Sequence, residues 1–324
     1  MPSDRIISLT AAAVIVLSPC AALAQAWPSR PVTMMVPFPA GGTADLFARE
    51  TAQALSEELG QPFVVENRAG AGGNLAAVSV AKAAPDGASL LFASQAQAAL
   101  NKFMFKSLPY DPTRDLVPAV LVIKSPVAII ASMDAPVSSF QALIDYAKVS
   151  PGKLTVGHAG IGSMAHVALE LMQQMAGIKV VGVPYKGGAP MVTDLLGGHL
   201  PLSSDLLSNF VRLAQENKVR LLAVASTRRM SDLPHVPAVQ ELIHAPFEAA
   251  AWFAIMAPTG TSADILQKIN AITNRYLQST KGKDLIAKQA VEAGRGTPAD
   301  AAAFVTFELE KWAPVIKEAN ISLN

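Results

Sequence analysis

At 324 residues, with 51% hydrophobic and 16% charged side chains, the chain has room for two domains with large buried cores. A formal net charge of +1 and the lack of any basic run exclude a polyanion groove, so nucleic acid is not an expected partner. Cys20 is the only cysteine, which excludes a disulfide framework.

The N-terminus differs in kind from the rest. Arg5 precedes an apolar segment from Ala11 to Leu23, and Ala22-Leu23-Ala24 supplies the small-x-small pattern that a signal peptidase reads. Residues 1–24 are therefore predicted to be an export signal peptide cleaved after Ala24, with Ala26 as the second choice. The segment is shorter than the ~20 apolar residues of a comfortable span, and Pro19 stands against a lipoprotein box ending at Cys20.

From Trp27 onward strands and helices alternate, which predicts an α/β architecture with mainly parallel sheets. Arg30 to Val36 reads as a buried strand, Pro37 to Gly42 as a glycine turn, and Leu46, Phe47, Thr51, Leu55 and Leu59 as one face of a helix stopped by Gly60. Phe63 to Val65 is a strand, Gly70 to Gly73 another glycine turn with a helix over Leu75 to Lys82, and Ser89 to Ala93 a third strand. Leu116 to Ile130 reads as two strands broken at Lys124-Ser125-Pro126, where the chain passes to a second domain. There the order repeats. Leu154 to Val156 is a strand, Gly160 to Gly162 a turn and Ser163 to Ala176 a helix; then come a strand over Lys179 to Val183, a turn at Tyr185-Lys186-Gly187-Gly188, a helix over Pro190 to Leu196 and a strand over His199 to Ser204. Val219 to Ala225 and Ala251 to Ala257 are further strands, the latter returning to the first domain, and three helices follow over Ser262–Gln278, Gly282–Glu292 and Pro298–Ala319. The predicted division is 27–125 plus 252–324 for domain I and 126–251 for domain II. Two crossings imply a hinge.

The two strand–turn–helix units are candidate anion sites, because a helix N-terminus offers unpaired amides and the positive end of its dipole. No Lys or Arg occurs between Val36 and Ala48 or between Val156 and Met175. A carboxylate held there would rest on amides and hydroxyls, at roughly 1.5–3 kcal/mol per charge-assisted bond.

Other chemistries fit less well. Gly160-Ile161-Gly162-Ser163-Met164-Ala165 satisfies G-x-G-x-x-A, yet Val181-Gly182-Val183-Pro184-Tyr185 lacks the carboxylate a dinucleotide site requires, and no cofactor is expected. No G-x-S-x-G elbow occurs, although Ser163 with His166 leaves an esterase-like hydrolase as an alternative. His158 and His166 have no cysteine or paired carboxylates nearby for a metal. Asp45 and Asp205 read equally as capping carboxylates or as pocket groups, Phe38 as a ligand cover or as packing, and Trp252 and Trp312 as core.

Several motifs follow in order: Pro39-Ala40-Gly41-Gly42 with Asp45, Val65-Glu66-Asn67-Arg68 before Gly70-Ala71-Gly72-Gly73-Asn74, Ala84-Pro85-Asp86-Gly87, Leu108-Pro109-Tyr110-Asp111-Pro112, Val183-Pro184-Tyr185-Lys186-Gly187, Asp194-Leu195-Leu196-Gly197-Gly198 and Ala257-Pro258-Thr259-Gly260-Thr261. Together they resemble the Bug family, the periplasmic solute-binding proteins of tripartite tricarboxylate transporters. The resemblance implies a two-domain type II periplasmic binding protein fold with an interdomain cleft that closes on a small organic carboxylate. It also implies a monomeric receptor that hands its ligand to inner-membrane permease subunits, with a sensor partner as the alternative. Carried over by position, it points to Phe38, Pro39, Ala40, Gly41, Gly42, Thr43 and Asp45 on one side and to Ala159, Gly160, Ile161, Gly162, Ser163 and His166 on the other. Ser94, Gln95, Tyr185, Ser204 and Asp205 follow at neighbouring strand ends. His158, the Ser203-Ser204-Asp205-Leu206 run and His235 depart from the family's usual residues.

Overall fold

The computed structural model describes residues 27–230, 233–318 and 320–323; the expected signal peptide and its cleavage point lie outside them. In β1 (Val32–Val36) the alternate residues Val32, Met34 and Val36 are fully buried. α1 (Thr43–Leu59) buries Phe47, Thr51 and Leu55 of the expected stripe together with Ala48 and Ala52, leaves Leu46 and Leu59 half-buried, and closes at Gly60, whose N–H donates to Ser56 O. β2 (Phe63–Asn67), α2 (Asn74–Ala81) and β3 (Ser89–Ser94) complete the first unit, with β2 and β3 flanking β1 in parallel.

A π-turn over Ala96–Leu100 then leads to α3 (Asn101–Met104) and α4 (Pro112–Asp115), none of which the strand–helix pattern predicts. The two broken strands expected over Leu116 to Ile130 are instead one strand, β4 (Leu116–Ser132). Pro126 sits opposite Ala250 and the ladder resumes with Val127 N–H to Ala249 O, so the missing proline donor does not end the strand. α5 (Phe140–Val149), also not predicted, packs Phe140, Leu143, Ile144 and Ala147 inward.

The second unit follows as β5 (Thr155–His158), α6 (Met164–Ala176), β6 (Val181–Pro184), α7 (Gly188–Leu196) and β7 (Leu202–Leu206), with β6 and β7 parallel to β5. α8 (Val211–Gln215), β8 (Val219–Val224) and α9 (Val239–Ile243) precede β9 (Ala250–Pro258). α10 (Ala263–Gln278), α11 (Thr280–Lys288), the short β10 (Glu292–Ala293) and α12 (Pro298–Glu318) end the chain. The helix expected to reach Glu292 therefore stops at Lys288, and Glu292 joins β4.

The strands form one path, β2-β1-β3-β9-β4-β7-β5-β6, with β8 and β10 also on β4. It is less parallel than expected: β9 runs against both β3 and β4, and β4 against β7 and β8. Two strands that carry the chain out of a domain and back must oppose each other in direction. Among the described residues no helix is long and apolar enough to cross a membrane.

Two polar devices hold the elements that shape the centre. Glu308 of α12, nearly buried, accepts both indole N–H groups, from Trp252 at 3.1 Å and Trp312 at 3.0 Å, tying α12 to β9. Both tryptophans are core, as expected. Asp45 accepts from Gly41 N–H at 3.0 Å, Asn67 Nδ2 at 2.9 Å and Arg49 Nε at 3.0 Å, fastening the β1–α1 turn to β2. Burial raises the Asp45 pKa, but these bonds outweigh it and hold the carboxyl below its ordinary value.

Replacing Glu308 by alanine leaves two buried indole donors without an acceptor, and is expected to lower the unfolding free energy by about 2–4 kcal/mol; an unchanged urea midpoint would refute the tie. Asp45→Asn is expected to cost ~1 kcal/mol at pH 7, a modest figure because Arg49 is half exposed and screened. A carboxyl with a depressed folded pKa contributes stability above its unfolded value and loses it as pH falls through the folded one. The two proteins should therefore converge in stability as pH falls through the lowered folded pKa of Asp45, and a gap independent of pH would count against this account.

Candidate functional site

Parallel strands end on the same edge of their sheet, and here the carboxyl ends of β1, β2 and β3 face those of β5, β6 and β7. The connections after β1, β2, β5 and β6 all carry glycine turns, and all four line one cavity of about 550 Å³ between the two halves.

The first half contributes Pro37, Phe38 and Pro39 from the β1–α1 turn, then Gly42 and Thr43 at the start of α1. No side chain caps α1. Thr43 instead reaches across the cleft: its N–H and hydroxyl donate to Asn209 Oδ1 at 3.3 and 2.7 Å, and the hydroxyl lies 2.8 Å from Ser208 Oγ. Ser208 also meets Ser125 of β4 at 2.9 Å. The Ala69–Gly73 turn is braced by Gln97, whose Nε2 donates to Gly72 O at 2.8 Å. Gly73, at φ +83°, has no space for a side chain: an added Cβ would stand 2.3 Å from Gln97 Nε2. Ser94 Oγ donates to Gln97 Oε1, and Gln95 Oε1 accepts from Trp252 N–H, so the Ser94 hydroxyl and the Gln95 carbonyl serve the frame. Phe38 meets Phe253 edge to face at 6.2 Å.

In the second half, β5 ends at His158 and α6 starts after Ser163, whose Oγ caps His166 N–H at 3.2 Å. The His166 ring points back at its own turn, with Nδ1 accepting from Gly162 N–H at 3.1 Å and Nε2 lying 3.7 Å from Glu170. His158, buried, stacks on it with centroids 4.4 Å apart. Burial lowers both pKa values; with the His166 ring adjoining, His158 falls to about 4, so the pair is neutral at pH 7. Gly162, at φ +80°, sits where an added Cβ would come 2.6 Å from Met104 Sδ, so the halves touch at this turn. Tyr185 lines the cavity but donates its hydroxyl to Asp194 at 2.7 Å. Asp205 is 1% exposed, its Oδ2 accepts from Asn209 Nδ2 at 2.7 Å, and its Oδ1 has no partner. Burial pushes its carboxyl up to about 6 against that hydrogen bond.

Of the residues expected at the site, Phe38, Pro39, Gly42, Thr43, Ser94, Gln95, Ala159, Gly160, Ile161, Gly162, Ser163, Tyr185 and Asp205 come together around this cavity. Ala40, Gly41, Asp45, His166 and Ser204 stand outside its lining; Ala40 and Gly41 are exposed in the β1–α1 turn, and Ser204 Oγ donates to Ala165 O. The turns at Gly70–Gly73 and Tyr185–Gly188 are legible in the sequence, but of these residues only Tyr185 is expected at the site. Their near-equal distance from the first turns was the available signal. Gln97, Asn209, Phe253 and Leu323 had none, since each arrives through tertiary packing.

The sequence profile described as "Tripartite tricarboxylate transporter family receptor" matches residues 47–321. The chain is 37% identical over 301 residues to protein BugT of Bordetella pertussis, covering 93% of this chain and 92% of that one. Among solved structures, R. palustris Rpa4515 with adipate superposes with a TM-score of 0.87 at 36% identity, covering 91% of this chain and 99% of its own. MatC from Rhodopseudomonas palustris with bound malate gives 0.84 at 31%, covering 90% and 100%, and the periplasmic binding protein BugD gives 0.85 at 32%, covering 91% and 99%. Coverage of this extent, together with the two half-sheets meeting at a cavity, identifies the fold as the two-domain periplasmic-binding-protein fold. The chain belongs to the tripartite tricarboxylate transporter receptor family and is a solute-binding receptor.

Proposed function

We propose that the protein is exported to the periplasm with cleavage after Ala24, captures a small organic carboxylate in the central cavity, and delivers it as a monomer to inner-membrane permease subunits of a tripartite transporter. The observation that carries this reading is the junction of four glycine turns around one cavity, two of them running straight into the N-termini of α1 and α6. Similar proteins that were solved with adipate and malate support a carboxylate as the class of ligand.

In this reading the ligand-contacting groups are the turn residues from Phe38 to Thr43 and from Ala159 to Ser163, joined by Ala69–Gly73 and Lys186–Gly188. Domain I comprises 27–125 and 252–324, and domain II 126–251. The antiparallel pair of β4 and β9 is the hinge, where Pro126 faces Ala250. A ligand favours closure only by its differential affinity for the closed state. The Thr43–Asn209 and Thr43–Ser208 bonds add a protein contribution that an opened cleft lacks.

A hydrolase reading draws less support. Ser163 Oγ accepts from the His166 backbone, and the imidazole Nδ1 is engaged by Gly162 N–H, so neither is set as nucleophile and base.

Incubation with a panel of carboxylates is expected to raise the melting temperature without turnover; product formation would overturn the receptor reading. Gly162→Val, which forces a side chain against Met104, is expected to abolish that stabilisation while the protein stays folded. Unchanged ligand stabilisation in this variant would move the site elsewhere.

A further inference from the structure

The side chains around the cavity differ in how far the protein itself uses them. Thr43 is bonded to Asn209, Asn209 to Asp205 and the Tyr185 hydroxyl to Asp194. Gln97 is used at both ends: its Oε1 accepts from Ser94 Oγ and its Nε2 donates to Gly72 O. Gln95, in the same lining, is used at one end only. Its Oε1 accepts from the backbone N–H of Trp252 at 3.2 Å, and its Nε2 has no acceptor among the described residues.

This amide cannot turn over, because its own N–H groups would then face the Trp252 N–H and leave that donor without an acceptor. Gln95 is only 2% exposed, so bulk water does not serve it. Nor is Nε2 sealed inside the protein. Asp205 Oδ1 is closed off without a partner, whereas Gln95 Nε2 opens onto the cavity that its residue lines. Two other side chains in the described lining have donor groups without an acceptor, but Lys186 is exposed and Ser163 is half-buried with a hydroxyl that rotates. Gln95 alone is both buried and fixed.

Its surroundings make that donor selective. Gln95 follows directly on β3, which pairs with β9, and Ala251 and Phe253 of β9 line the cavity on either side of Trp252. Phe38 meets Phe253 edge to face in the same lining. A ligand with only hydrocarbon at this point would displace water from the amide and put no acceptor in its place, and sites built around such a donor discriminate strongly.

Resting on the carboxylate-receptor reading above, we propose that Gln95 is a specificity-determining residue. Its Nε2 donates to an oxygen acceptor that the ligand carries in addition to the carboxylate held by the turns. A second carboxylate and a neutral carbonyl both present such an oxygen.

The test is calorimetric titration of the full-length mature protein at pH 7.5 with three probes of one chain length: hexanoate, which lacks a second acceptor, monomethyl adipate, which has a neutral carbonyl, and adipate, which has a second carboxylate. At least one of the two acceptor-bearing probes is expected to bind about tenfold tighter than hexanoate or better, and which of them does so identifies the acceptor. Gln95→Glu keeps an oxygen for the Trp252 N–H and removes the amine, and is expected to reduce the preference to about threefold or less. Gln95→Met, which removes the donor without adding charge, is expected to do the same; if it fails to fold, Gln95→Glu decides. Hexanoate binding as tightly as both other probes, or a preference that survives in every variant that folds, overturns the inference and leaves the receptor reading standing. Binding of none of the three probes overturns both.

Discussion

The structure depends on parallel pairing within each half-sheet. Once β2 and β3 lie parallel to β1, and β6 and β7 parallel to β5, the carboxyl ends of six strands must emerge along two facing edges. Every connection leaving those edges then opens toward the same space. β4 joins the two edges, since it pairs β9 in the first half and β7 and β8 in the second.

If the ligand is the carboxylate proposed above, backbone amides at helix starts hold it without arginine forks and so release it more readily. The structure adds a refinement. Amides in such turns are costly to leave unpaired when buried, and this protein satisfies several of them itself, through Asp45 at Gly41, Asn209 at Thr43 and His166 at Gly162. The Asn209 bond crosses the cleft, so part of the closed arrangement is maintained by protein–protein hydrogen bonds. Each such neutral bond contributes on the order of 0.5–1.5 kcal/mol net.

The histidines illustrate how a reactive residue type can serve as framework. His158 and His166 stack beneath the second turn, and both are held neutral by burial. A neutral ring can accept from Gly162 N–H at Nδ1, which a protonated ring cannot. Their place near glycines and a serine suggests catalysis in one dimension; in three dimensions they support a turn.

The sequence alone determined the alternation of strands and helices in the two repeated units, the positions of the glycine turns, the helix stop at Gly60 and the kinship of the chain, because these depend on residues close together along the backbone. It could not reveal that Leu116–Ser132 is one strand, since Pro126 breaks a strand only if its missing donor faces a partner, and that depends on Ala249 and Ala250 across the ladder. Nor could it separate the two roles open to Asp45 and Asp205. Asn67 and Arg49 draw Asp45 into the frame, whereas Asn209, four residues on, and Gly188 of α7 enclose Asp205 beside the cavity. Thr43 and Asn209 are 166 residues apart in the chain; only packing brings them together, because a hydrogen bond of that span leaves no periodic or local trace in the sequence.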